Sequence, residues 1–113
     1  MDCIFCNIIK GDIPSSKVYE NEKVYAFNDI SPVAPVHVLI IPKEHIESIN
    51  DLTKENASLV SDVMLAAKEI ATQLGISESG YRVVTNCGQA AGQTVNHIHF
   101  HLLGGRDLAW PPG

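Results

Sequence analysis

Between Thr53 and Leu74 the apolar residues Leu59, Val60, Val63, Met64, Ala67, Ile70, Ala71 and Leu74 recur at steps of three and four. That spacing gathers side chains on one face of a helix, and Gly75 follows in the position of a C-terminal cap. The pattern predicts one long helix with a single buried face. Other segments follow a shorter period. Lys17–Glu20 and Lys23–Phe27 are rich in Val, Tyr and Phe and flank Asn21-Glu22, the arrangement of a hairpin. Val36–Ile41, Tyr81–Thr85 and Asn96–Leu103 read as three further strands, and Ile4–Lys10 as a short helix closed by Gly11, with Pro14 barring continuation. Asn28–Pro35 contains two prolines and must be a loop. About five strands with one long and one short helix imply an α+β domain, the long helix packed on one face of a mainly antiparallel sheet.

The chain has 113 residues, 45% of them hydrophobic, with no repeat, low-complexity tract or linker, so one domain over residues 1–113 is expected. Its net charge is −5 and its eight Lys and Arg are scattered. No basic stripe exists for polymeric nucleic acid, although a small anion held by backbone groups remains compatible. The apolar run Val36–Pro42 falls far short of the roughly 18 residues a membrane span needs, so no membrane partner is expected. The opening Met1–Cys6 lacks the basic region of a signal peptide, and three cysteines are an odd number; both point to a reduced, cytoplasmic setting without a disulfide framework.

The segment His97-Ile98-His99-Phe100-His101-Leu102-Leu103 carries the strongest chemical signal. Side chains alternate across a strand, so three histidines share one face while Ile98, Phe100 and Leu102 take the other. A lone histidine is commonly structural; three on one face between large apolar residues are poorly explained that way. Two chemistries fit the triplet. Two or three of the rings bind a zinc that activates water, or one neutral imidazole attacks the substrate directly while its other nitrogen is held as N–H. The triplet alone leaves both open.

Beyond the triplet, the chain resembles the histidine triad family along nearly its whole length. The matching stretches are Phe27-Asn28-Asp29-Ile30-Ser31-Pro32, Ala34-Pro35-Val36-His37, Ile40-Ile41-Pro42-Lys43-Glu44-His45-Ile46, Gly92-Gln93-Thr94-Val95, the triad itself, Gly104-Gly105-Arg106 and Trp110-Pro111-Pro112-Gly113. The ending is more similar to the Hint branch, the histidine triad nucleotide-binding proteins, than to the Fhit dinucleoside polyphosphate hydrolases. The resemblance implies a HIT-like fold and purine nucleoside phosphoramidase activity, the cleavage of a P–N bond in an adenosine or guanosine 5′-phosphoramidate, with no metal in the chemical step. It implies His99 as the nucleophile that forms a nucleotidyl-imidazole. Imidazole suits that role, being nucleophilic when neutral and a good leaving group once phosphorylated, with a reference pKa of about 6.5. The alternatives are a dinucleoside polyphosphate hydrolase using the same nucleophile, or a non-enzymatic nucleotide-binding regulatory module.

Supporting roles follow from the same resemblance. His101 and Asn86 are implied as phosphate-end contacts. Thr94, where relatives usually carry serine, keeps a hydroxyl able to pass a proton to the departing nitrogen. Gly92 and Gln93 lie just before the triad, where a missing side chain lets backbone N–H groups approach phosphate oxygens, although the same residues also suit a plain turn. Asp29 is implied as the acceptor for both ribose hydroxyls, and Phe27, Ile30 and Leu39 as apolar walls around the base; by itself an Asp before Ser-Pro is ordinary loop chemistry. His37 is implied as support for the triad, against the plainer reading of a solvent-facing histidine at a strand end.

Cys3 and Cys6 are spaced C-x-x-C, and a zinc site needs two further ligands. The resemblance to cysteine-containing bacterial relatives supplies His45 and His97 for a structural zinc; otherwise the cysteines read as small buried apolar residues. Cys87 reads as unpaired. Trp110, the one tryptophan, sits in a proline-rich tail that packs either on its own domain or in a partner. The resemblance implies a homodimer whose tails approach the partner's active site.

Overall fold

The computed structural model describes residues 3–113; Met1 and Asp2, the start of the Met1–Cys6 segment discussed above, lie outside them. The elements are α1 (Ile4–Lys10), β1 (Lys17–Glu20), β2 (Val24–Asn28), β3 (Val36–Pro42), α2 (Ser58–Gln73), β4 (Tyr81–Thr85) and β5 (Phe100–Gly104), with single 3-10 turns at Ile49–Asp51 and Gln89–Ala91. The strands form one antiparallel sheet in the order β1-β2-β3-β5-β4. No described helix is long and apolar enough to cross a membrane.

Alternation along β3 divides the sheet into two faces with different occupants. Val38 and Ile40 point to one side, where they meet Val24, Ala26, Phe100 and Leu102 of neighbouring strands and Leu59, Val63, Ala66, Ala67, Ile70 and Ala71 of α2. Three alanines on that helical face let the backbone of α2 approach the sheet closely. Leu39 and Ile41 point to the other side, into a smaller cluster with Tyr25, Phe27 and the α1 residues Phe5 and Ile8. Helix α1 is held at both ends: Cys3 Sγ accepts from Cys6 N–H at its start, and Gly11 takes the left-handed conformation at its end (φ 87°), returning its N–H to Ile8.

Two boundaries differ from the expectation by more than one residue. The long helix begins at Ser58, not Thr53, because Asn56 Oδ1 accepts from Thr53 N–H, and Thr53 O accepts from Asn56 and Ala57, closing a separate turn before the helix. The last strand begins at Phe100, not Asn96. Pro42 has no N–H to extend the ladder, and its carbonyl accepts from His97 Nε2 (2.8 Å). The carbonyls of His97 and His99 are likewise taken by side chains, His99 Nδ1 (2.7 Å) and Thr85 Oγ1 (2.8 Å). The side-chain alternation nonetheless persists through Asn96–His99, so Ile98 stays in the core with Phe100 and Leu102.

Ile70 is fully buried between α2 and the sheet, whereas Leu65 on the same helix is 64% exposed. Ile70→Ala is therefore expected to cost about 2–5 kcal/mol of unfolding free energy, and Leu65→Ala under about 0.5 kcal/mol. Urea denaturation of both variants checks this; equal losses would contradict the assignment of the buried face.

Candidate functional site

The histidine face of β5 lies on the side of the sheet away from α2. His99 is buried, and its ring stands edge-on to Phe5 (centroids 5.1 Å) and His101 (5.3 Å). A carbonyl can only accept, so the contact with His97 O puts the proton on His99 Nδ1 and the lone pair on Nε2. That Nε2 makes no hydrogen bond among the described residues and, unlike His45 Nε2, is not sealed from solvent. The result is an imidazole whose free lone pair lies on Nε2.

A second tautomer is set by a backbone donor. Val33 N–H donates to His37 Nδ1 (3.1 Å), so His37 carries its proton on Nε2, which lies 2.9 Å from His101 Nδ1 and 3.4 Å from Asp29 Oδ2. His101 Nδ1 accepts that proton, leaving N–H on His101 Nε2. Burial pushes His101 below the usual histidine range, as do the neighbouring His99 and His37, with Asp29 pulling the other way. One face thus presents a lone pair on His99 that no described residue occupies beside a fixed N–H donor on His101, the pairing that nucleophilic attack on an anion requires. His37 is buried, not solvent-facing.

Cys3, Cys6, His45 and His97 form a separate cluster at the start of α1, their donor atoms all within 4.8 Å of one another. His97 donates from Nε2 to Pro42 O, which turns its Nδ1 lone pair into the cluster. There Nδ1 lies 3.2 Å from His45 Nδ1, 3.4 Å from Cys3 Sγ and 3.6 Å from Cys6 Sγ, while Cys6 Sγ is 3.3 Å from His45 Nδ1. A tetrahedral zinc with ordinary bond lengths has edges of roughly 3.3 Å between nitrogens and roughly 3.5 Å between nitrogen and sulfur. The observed spacings match those edges, so the residues fit a Cys2His2 cation site. Burial pushes the Cys6 thiol up, as does Cys3 beside it, and pushes His97 down; the buried cluster disfavours charge on its own atoms, which a cation would offset.

The remaining expected residues fall into three groups. Phe27 and Leu39 are buried on the histidine face, Phe27 packed edge-on to Phe5 (5.7 Å) and Leu39 directly across the ladder from His101. Asp29 follows β2, its Oδ1 held by Ser31 N–H (2.7 Å), whereas Ile30 is 98% exposed on the adjoining loop and walls nothing among the described residues. Asn86 is half-buried just after β4, and Gly92 ends the 3-10 turn in the left-handed conformation (φ 86°). The Gln93 side chain is fully used within the chain, donating to Glu47 O and Val95 O and accepting from Gly88 N–H, so it braces the loop. Thr94 is exposed and borders a cavity of about 390 Å³ with Cys3, Ile4, His45, Glu47, Val95 and Asn96.

Sequence reasoning missed Phe5, which touches both His97 (5.9 Å) and His99. Its position between the two cysteines was the available signal. It also missed Val33, which acts through its backbone and leaves no trace in residue type. Cys87 is free, as expected. Trp110 is 81% exposed, so it does not pack on its own domain.

Comparison with known proteins agrees with this geometry. The HIT domain family matches residues 10–108. A solved HIT family hydrolase from Legionella pneumophila superposes with a TM-score of 0.97 at 49% identity, covering 99% of this chain and all of that one. The histidine triad nucleotide-binding protein from Candida albicans gives a TM-score of 0.83 at 40% identity, over 97% of this chain and 83% of that one. The 14 kDa zinc-binding protein of Zea mays is 49% identical over 112 residues, 97% of this chain and 87% of the relative. With its sheet order, its row of histidines and its sequence all in agreement, the chain belongs to the HIT family.

Proposed function

We propose that the chain is a purine nucleoside phosphoramidase, and the observation that carries this reading is the pair of opposed tautomers on His99 and His101. His99 Nε2 attacks phosphorus, the P–N bond breaks, and the electron pair leaves on nitrogen, which takes a proton to depart as a free amine. The fixed N–H of His101 supplies a hydrogen bond to the phosphoryl oxygens or to that nitrogen, and the Thr94 hydroxyl is a second route for the proton. As His99 becomes cationic, its Nδ1–H bond to His97 O strengthens and stabilises the developing charge. Water then cleaves the nucleotidyl-imidazole, releasing the nucleoside monophosphate and restoring neutral His99. Asp29, with Oδ1 held by Ser31 and Oδ2 beside His37, offers carboxylate oxygen to the ribose hydroxyls, and Phe27 and Leu39 offer apolar surface to the base.

Zinc belongs to the reading as a structural ion. Cys3, Cys6, His45 and His97 would hold it, tying α1 to the entry of β5, and the name of the maize relative supports the choice of metal. A homodimer is also part of the proposal. Strand β4 ends the sheet with one edge unpaired among the described residues, and Arg82 on that strand donates to Leu108 O and Ala109 O, holding the tail that carries exposed Trp110. A second copy joined along β4 would cover the edge and receive the tryptophan.

His99→Ala is expected to lower kcat toward adenosine 5′-phosphoramidate by at least about a thousandfold while AMP binding survives. Parallel assays with a diadenosine polyphosphate and with AMP binding alone decide between phosphoramidase, polyphosphate hydrolase and pure binding module. Metal analysis should find about one zinc per chain, and Cys3→Ser should lower the melting temperature by at least about 5 °C. Protein free of zinc when purified without chelator would contradict the metal site. Sedimentation should give a dimer at micromolar concentration, and deletion of Trp110–Gly113 should alter selectivity among phosphoramidates more than folding. A monomer with unchanged kinetics after truncation would return Trp110 to an incidental role.

A further inference from the structure

We propose that Arg106 is a positioning residue that sets the tautomers of His37 and His101 through the backbone of residue Val33. Arg106 Nε and Nη2 both donate to Val33 O (3.2 and 3.1 Å), and Nη1 donates to Asp107 O (2.9 Å). The other end of the Val33 residue is the N–H that meets His37 Nδ1. The fork therefore grips the carbonyl of the residue whose N–H dictates which nitrogen of His37 carries hydrogen, and His37 in turn dictates His101.

The glycines before Arg106 explain how the side chain reaches this point. A Cβ on Gly104 would meet Ile76 Cδ1 at 2.6 Å, and Ile76 is buried. Gly105 adopts φ +88°, and a Cβ there would meet Pro35 Cβ at 2.9 Å. Only a pair without side chains lets the chain leave β5, turn and pass against the loop 31–35. That loop has few backbone donors to offer, since Pro32 and Pro35 have no N–H and Ser31 N–H is spent on Asp29.

Without the clamp the Val33–Ala34 peptide is no longer pinned, residue Val33 is free to shift about its Cα, and the adjoining Pro32–Val33 peptide no longer holds its N–H on His37 Nδ1. His101 then presents a lone pair as readily as an N–H toward phosphate. His99 is unaffected, because its proton is set independently by His97 O. The kinetic consequence rests on the phosphoramidase reading; the tautomer consequence does not.

The test uses Arg106→Ala, Arg106→Lys and His37→Phe in the full chain, with nitrogen-detected imidazole NMR beside steady-state kinetics. For Arg106→Ala the His37 signals should move from a pure Nε2–H pattern to a mixture while His99 keeps Nδ1–H. The same variant should lose about ten- to a hundredfold in kcat on adenosine 5′-phosphoramidate, because the donor is disordered and not removed. Its KM should change less than about twofold. Arg106→Lys, with one donor group and no fork, should fall between. In the His37→Phe background, removing Arg106 should add no further loss. An unchanged His37 tautomer in folded Arg106→Ala, or full additivity with His37→Phe, would overturn the proposal. If the protein proves inactive on phosphoramidates, the NMR arm still decides it.

Discussion

The organising constraint is a competition for backbone carbonyls where the chain enters β5. Pro42 O, His97 O and His99 O would ordinarily accept ladder hydrogen bonds, and each is taken by a side chain. The ladder therefore starts only at Phe100. The same three bonds assign the protons: His97 must carry hydrogen on Nε2 and His99 on Nδ1. Two histidines two residues apart thus acquire opposite tautomers, the His97 lone pair lying on Nδ1 in the cysteine cluster and the His99 lone pair on Nε2. A regular strand at these positions would have left both rings free to choose.

Placing imidazoles in a protein interior costs free energy unless each ring is hydrogen-bonded, and the fold meets that demand with backbone partners instead of buried charges. His37 takes Val33 N–H, His97 takes Pro42 O, His99 takes His97 O, and His101 takes the proton His37 shares. Only His45 Nε2 is buried without a partner among the described side chains. Stability comes mainly from the opposite face, where α2 covers Val38, Ile40 and Leu102. The polar face is then free to be built around chemistry.

Much of this was legible in the residue order for a physical reason. Period-two alternation through His97-Ile98-His99-Phe100-His101 reports which side a residue faces, and it holds even where the ladder does not form. That is why the histidine face was legible and the start of β5 was not. The three-four spacing located most of the buried face of α2, although Met64 and Leu74 are exposed and Ala66 is buried in their stead, but not its first residue, because Asn56 capping Thr53 N–H mimics the helix pattern one turn early. The C-x-x-C pair was visible locally, whereas His45 and His97 are 52 residues apart and came together only through resemblance. Val33 and Arg106 were opaque: one works through a peptide N–H, and the other through the turn that two glycines permit.

The proposed chemistry turns on one nitrogen atom, so the most direct measurement is to quench the protein during turnover of adenosine 5′-phosphoramidate and locate any covalent nucleotide. Peptide mass spectrometry identifies the residue, and phosphorus–nitrogen coupling in labelled protein identifies the ring position. The expected result is a nucleotidyl group on Nε2 of His99, the nitrogen left bare by the bond to His97 O. A nucleotide on Nδ1 of His99 or on another residue would contradict the account, as would turnover with no adduct that stops when the Cys3–Cys6–His45–His97 site is stripped from otherwise folded protein.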